Sequence, residues 1–459
     1  MSDIAHSAWR ALFDTLTANR SDAVAERRRG MARFLDVGFP TRRHEAWKYM
    51  DLRRVADTDY VLIDDVLTGD VLTDDVLTDD VLAAEASTAD VNIDSVALNH
   101  DSYRLVFIDG QFSAAQSRLQ GLPQGVALTP LSSVLAAGDV PADLFSLIDE
   151  TRTPFTALNQ AFFTDGAVLT LAAGCVVERP IELLFISRQH DAPLAIHPRI
   201  VIRAGQQSQA NVVEHYVSLG DAANLTNAVT EVHVEEGANL CHYVLQEQGD
   251  QDVRIGNLRA QQLKDAHFTS YSLTLGGAIS RMDLCTELNG ERAQSDYWGL
   301  FFGQGRQVLD NHTVVNHNVA RTFSNEHYKG ILGGRARGIF NGRVHIKRDA
   351  QQVKGYQRNA NLLLSDRAEI DTKPELEIYA DDVQCSHGAT TGQLDQDALF
   401  ALRARGIDNE MARAMLTLAF AGEVLQATHL PAVAQRVEHL VAGELPVRFN
   451  FADVVEVMD

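Results

Sequence analysis

The sequence predicts a mainly β protein, with one long coiled sheet, either a sandwich or a β-helix, flanked by helical segments. Three observations predict it. Between residues 151 and 392, apolar and polar side chains alternate with period two, as in Val229-Thr230-Glu231-Val232-His233-Val234 and Phe268-Thr269-Ser270-Tyr271-Ser272-Leu273. Glycines punctuate that stretch at Gly174, Gly205, Gly237 and Gly290, the first three 31 and 32 residues apart. Helical periodicity is nearly missing there and returns on both sides. Short strands with regular glycine-bearing corners make coiled sheets.

The first region, residues 1–150, is expected to be helical or mixed. Trp9, Leu12, Phe13 and Leu16 recur at helical spacing. A proline-led segment then runs from Phe39-Pro40 through Arg43-His44-Glu45-Ala46-Trp47-Lys48-Tyr49, dense in charge and aromatics. Residues 64–82 hold an acidic repeat of Asp-Asp-Val-Leu-Thr type with a period of five. That period fits neither a strand nor a helix face, and an EF-hand would need a glycine and a distal glutamate in register. A mobile or irregular acidic insertion is the expectation.

The middle region, 151–392, is the coiled sheet itself. Were it a β-helix, its ends would expose strand edges that need caps or partners. The last region, 393–459, switches to helix. Asp395 can cap a helix through Leu399 and Leu402, and Gly406 stands where a terminating glycine belongs. A second helix after Asp408 carries Met411, Met415 and Leu418 on one face, with Phe420, Val424 and Leu425 extending the apolar surface. Two helices cannot bury that surface alone, so it should pack on the sheet, on another chain, or on both.

Length and charge narrow the function. A chain of 459 residues is long for one compact domain unless a repeat elongates it. A formal net charge of −22 argues against general binding of nucleic acid or anionic membranes. The four cysteines, Cys175, Cys241, Cys285 and Cys385, are scattered and form no C-x-x-C pair. Such sparse use suits a reducing compartment, and with no signal-peptide core or membrane-length apolar run a cytoplasmic protein is expected. The motifs of phosphate loops, dinucleotide folds, serine hydrolases and zinc proteases are absent from the sequence, and without a phosphate loop no ATPase activity is expected of this chain.

The candidate chemistry lies in Val383-Gln384-Cys385-Ser386-His387-Gly388. On a strand, residues two apart share a face, so Cys385 and His387 can reach one metal ion or cluster together. Two ligands do not fill a coordination sphere. The rest must come from elsewhere in the fold or from another chain, unless the pair is a small buried thiol beside a hydrogen-bonded imidazole. A second candidate is the basic stretch from Lys329 to Arg358, including Arg335, Arg337, Arg343 and Lys347, where Asp349 is the only acid. It could attract an anionic ligand, or be a solvated face that balances the acidic remainder.

Three blocks carry a resemblance. They are Arg43–Leu52, with Met50 where Thr is usual; Gly338-Ile339-Phe340-Asn341-Gly342 through Asn361–Asp366 and Asp371-Thr372-Lys373-Pro374-Glu375-Leu376-Glu377-Ile378 to Cys385-Ser386-His387-Gly388; and Leu399–Ile407. With these the chain resembles the SufB/SufD family of scaffold subunits in the SUF iron–sulfur cluster assembly machinery, and its SufD branch in particular. The repeat at 64–82 lies outside the family pattern. The resemblance implies a right-handed parallel β-helix between N-terminal and C-terminal helical domains. It implies pairing with a SufB-like subunit through the β-helices, and docking of a SufC-like ABC ATPase on the C-terminal helices. Iron or a nascent cluster would be shared with SufB near His387 and Cys385, and reduced flavin is an expected associate of the assembled complex. A homodimer is expected when SufB is missing. The alternatives are a SufB-like principal cluster scaffold, disfavoured by the few cysteines, and a β-helix carbohydrate-active enzyme, disfavoured by the missing export signal.

Overall fold

The computed structural model describes residues 2–63, 91–138, 144–148 and 154–445. The acidic repeat at 64–82 lies outside the described residues. The chain is mainly β and winds into a β-solenoid of about 8 turns, with helices at its N- and C-terminal ends. Each turn gives one strand to each of two parallel sheets. One sheet runs from Tyr103–Ile108 through Ile181–Arg188 and, rung by rung, to Val353–Leu363 and Val383–Gly392. The other runs from Gly166–Leu171 and Arg199–Ala204 to Arg337–Ile346 and Glu369–Ile378.

The predicted alternation is the cause of this form. Inward residues of both sheets, among them Leu183, Ile202, Val212, Leu240, Phe268 and Leu284, fill the solenoid as one apolar core. Outward residues of the same strands hold the helices. Trp9, Phe34, Trp47 and Phe155 pack on Leu225, Val253 and Ile255 of one sheet. Leu418, Val424, Leu425 and Val437 pack on Tyr243, Tyr271, Leu273 and Leu300 of the other. The apolar face expected on the last helices is therefore buried against the sheet. Their caps are as expected: Asp395 accepts from Asp397 N and Ala398 N, Asp408 accepts from Glu410 N and Met411 N, and Gly406 takes φ 91°.

The glycine spacing has a more interesting basis than the sequence suggests. One corner of each turn places a residue in the left-handed region: Gly174, Gln207, Gly237, Asp265, Arg292, Arg321 and Gln352. Most donate a backbone N–H to a carbonyl of the next turn, as Gly237 does to Lys264 and Gln352 to Asp382. Those bonds offset the strain of φ > 0 in residues that have a Cβ. Gly205 and Gly290 are glycine for another reason. A Cβ there would collide with the backbone of Leu171 and Lys264, one turn back.

The two ends of the solenoid differ. At the first turns, antiparallel strands close both sheets: Gln111–Phe112 pairs with Tyr103–Ile108, and Val126–Pro130 with Gly166–Leu171. Among the described residues, the far end has no such cap. Val383–Gly392 and Glu369–Ile378 are the outermost strands of their sheets.

Candidate functional site

The Cys385–His387 pair stands on one of those two edge strands. Among the described residues, Val383–Gly392 is paired only with Val353–Leu363, with Cys385 opposite Gly355 and His387 opposite Gln357. Cys385 faces inward and packs with Val344, Ile346, Val353 and Leu376. By strand parity His387 shares that face. A Cβ on Gly355 would lie 3.5 Å from Cys385 Sγ, so glycine leaves the thiol room on the rung beneath. Cys385 is half-buried and His387 is exposed, because no further turn among the described residues covers them.

The cysteines differ in chemistry. Burial pushes the Cys241 thiol up to about 12, and Cys285 is likewise buried. Partial burial also raises Cys385, opposed by a backbone hydrogen bond from Gly355. A thiol held protonated becomes a strong ligand only when a metal displaces its proton. Among the described residues, no group of three or more His, Cys, Asp or Glu could hold a metal ion. The structure thus places a thiol and an imidazole together on the outermost strand of one sheet.

The first and the middle family-like blocks meet near this end. Trp47 lies under the Arg281 guanidinium at 3.8 Å, and Arg281 also donates to Ala46 O. Burial disfavours the Arg281 charge, but Asp283 and Asp310 more than compensate and hold it in its charged form. Beside Trp47, Glu45 pairs with Lys373 of the terminal strand at 3.3 Å, and Arg337 lies over the Tyr49 ring. The N-terminal signature therefore braces the outer face of the last turns.

The basic stretch is not brought together as one anion site. Arg337 makes a two-pronged bond to Asp371 Oδ2 at 2.8 and 2.6 Å, and Arg343 pairs with Glu377 at 3.5 Å. Arg335 and Lys347 are exposed at opposite ends of the strand Arg337–Ile346. The acids that answer Arg337 and Arg343 lie on the terminal strand, beyond the stretch in sequence.

Sequence reasoning missed the interior behind the pair. Glu326 and Gln357 occupy the column of His387 on the two rungs beneath it. Gln357 Nε2 donates to Glu326 Oε2 at 3.2 Å and Thr313 Oγ1 donates to the same oxygen at 2.5 Å. A Cβ on Gly342 would strike the Gln357 amide, so this glycine of the family-like block makes the space. The one sequence signal was strand parity, which does not say which parity faces inward.

Fold and site together define a class: a β-solenoid with antiparallel caps at one end and, among the described residues, an uncapped far end that carries a thiol and an imidazole on one strand face. Comparison with known proteins places it more closely. Residues 185–420 match the model of the SUF system FeS cluster assembly SufBD core domain, and residues 8–183 match the SufBD protein N-terminal region. The iron-sulfur cluster assembly protein SufD of Escherichia coli is 30% identical over 95% of this chain and 96% of its own length. An iron-sulfur cluster assembly SufBD family protein of Synechocystis is 29% identical over 93% of this chain and 92% of its own. A third, from Mycobacterium tuberculosis, is 28% identical over 72% and 86%. The chain belongs to the SufBD family of the SUF system, whose work is iron–sulfur cluster assembly. Among the described residues, no helix is long and apolar enough to cross a membrane.

Proposed function

We propose that this chain is a non-catalytic scaffold subunit that holds iron or a nascent iron–sulfur cluster jointly with a SufB-like partner. The observation that carries this is the open end. Two outermost strands, with a thiol and an imidazole on the inward face of one, form a surface that a second solenoid can extend. The partner supplies the remaining ligands, and its docking buries the pair. Ile378 and Tyr379, exposed at the corner between the two strands, give that contact apolar area. When the partner is missing, a second copy of this chain can take its place.

The C-terminal helices dock a SufC-like ABC ATPase. Phe400, 71% exposed on the helix Gln396–Ala404, supports this reading, as does the lack of a phosphate loop in the sequence. ATP is then hydrolysed by the partner, and its motion reaches the open end through the sheet on which the helices lie. A site divided between chains is loosened by sliding one against the other, which releases the cargo. Exposed Arg335 and Lys347, at opposite ends of their strand, are two separate points of attraction for an anionic associate such as reduced flavin.

The test is reconstitution without oxygen of the complex with SufB-like and SufC-like chains. A His387→Ala chain is expected to assemble the complex normally and to build little cluster, read as the iron–sulfur chromophore. Full cluster yield in that variant removes His387 from the mechanism.

A further inference from the structure

The solenoid interior grows more polar toward its open end. In the first turns apolar and aromatic side chains dominate it, and the buried carboxyl there, Glu214, has an ionisable partner in His242 beside the hydroxyls of Thr230 and Tyr216. In the last turns it holds Asn311, Thr313, Glu326, Gln357, Asn359 and Asn361, all but completely buried. Several of their polar atoms have no protein partner: Glu326 Oε1, Gln357 Oε1, Asn361 Oδ1 and Asn311 Nδ2. Orphaned buried polar atoms are costly and call for an explanation. A carboxyl in such a place has no structural need to be there, since glutamine would make the same bonds.

We propose that Glu326 is the charge-compensating carboxyl of the open end, protonated while the Cys385–His387 pair is empty and ionised when the pair takes a cation. This rests on the scaffold reading above. The bookkeeping is simple. On cation binding the Cys385 S–H proton leaves as the metal–sulfur bond forms, and the Glu326 O–H proton leaves with it, passing to bulk water along the polar interior. On release of the cargo both protons return.

Three observations support it. Glu326 lies two rungs from His387 in one column, and adjacent strands are about 4.8 Å apart, so the separation is about 10 Å. At that distance and an effective dielectric of about 20, each unit of charge shifts an ionisation by roughly tenfold. Burial raises Glu326 to about 7, with the hydrogen bonds from Thr313 and Gln357 opposing it only in part. The groups around it do not titrate near neutrality: Tyr297 and Tyr328 are pushed up by burial, and burial lowers His317 to about 3. His327 and Lys329 point to the other face of its strand, toward Glu423.

The probe is Cd²⁺ added at pH 6 to the full chain in complex with a SufB-like partner, with protons released counted in weak buffer. Cadmium–sulfur absorption reports occupancy of the thiol. Wild type is expected to release about half a proton more per Cd²⁺ than Glu326→Gln, as a roughly tenfold shift of a group near 7 requires at pH 6, and the difference is expected to vanish by about pH 9. Thr313→Val, which removes one hydrogen bond to the carboxylate, should move the vanishing point to higher pH. Equal proton release with cadmium–sulfur absorption present overturns the compensating role and leaves the metal pair standing. No such absorption, with or without the partner, overturns the metal pair and the coupling together.

Discussion

At the scale of the residue, the open end depends on side chains that are absent as much as on those present. Gly342 leaves room for the Gln357 amide, which holds Glu326 beneath His387. Gly342→Ala is expected to cost about 1–3 kcal/mol by overpacking, measured by urea unfolding. Gly388→Ala and Gly392→Ala on the edge strand meet no atom within 4 Å and should stay within about 0.5 kcal/mol of wild type. An equal cost at all three positions would contradict the packing described here. Cys385 and His387 themselves were legible in the sequence, because a strand fixes that residues two apart share a face. Glu326 was not legible, because nothing in the sequence tells an inward glutamate from an outward one until the register of the turns is known.

At the scale of the element, two segments far apart in sequence stabilise the last turns. Trp47, 5% exposed, is held between Arg281 and the ring of Phe155, whose centroid is 5.4 Å away. Trp47→Ala should cost about 3–5 kcal/mol and expose the preceding residues to protease; unchanged protease resistance would show that the segment is held by other contacts. The two edge strands differ in what they invite. Glu369–Ile378 alternates charged residues outward and carries Pro374, which has no N–H to offer, and charge with proline discourages pairing. Val383–Gly392 has neither protection, so it is the edge we expect the partner to extend. The elements were legible from periodicity and capping residues. Their corners were only partly so, because Gly174 and Gly237 hold the same conformation that Asp265, Arg292 and Arg321 reach through hydrogen bonds between turns.

At the scale of the molecule, the C-terminal helices are joined to the first turns by a buried chain of charge. Arg104 pairs with Glu182, Glu182 with His215, His215 with Glu247, and Glu247 with Arg436 of the helix Pro431–Gly443. Burial works against charging His215, but Glu182 and Glu247 outweigh it and raise its pKa above the ordinary 6.5. The stabilisation is therefore full below pH 6.5 and is lost as pH rises through the raised value. Thermal unfolding between pH 6 and 9 should show wild type losing its advantage over His215→Gln as pH rises; a constant difference would mean that His215 is not charged. No reading of this chain could name the ligands that complete its metal site, because on our account they belong to another subunit. The most direct measurement is iron K-edge absorption on the anaerobic complex of this chain with its SufB-like partner, wild type against His387→Ala. The account predicts an iron–nitrogen contribution that disappears in the variant. An unchanged spectrum, or an equally tight iron site in the isolated chain, would contradict it.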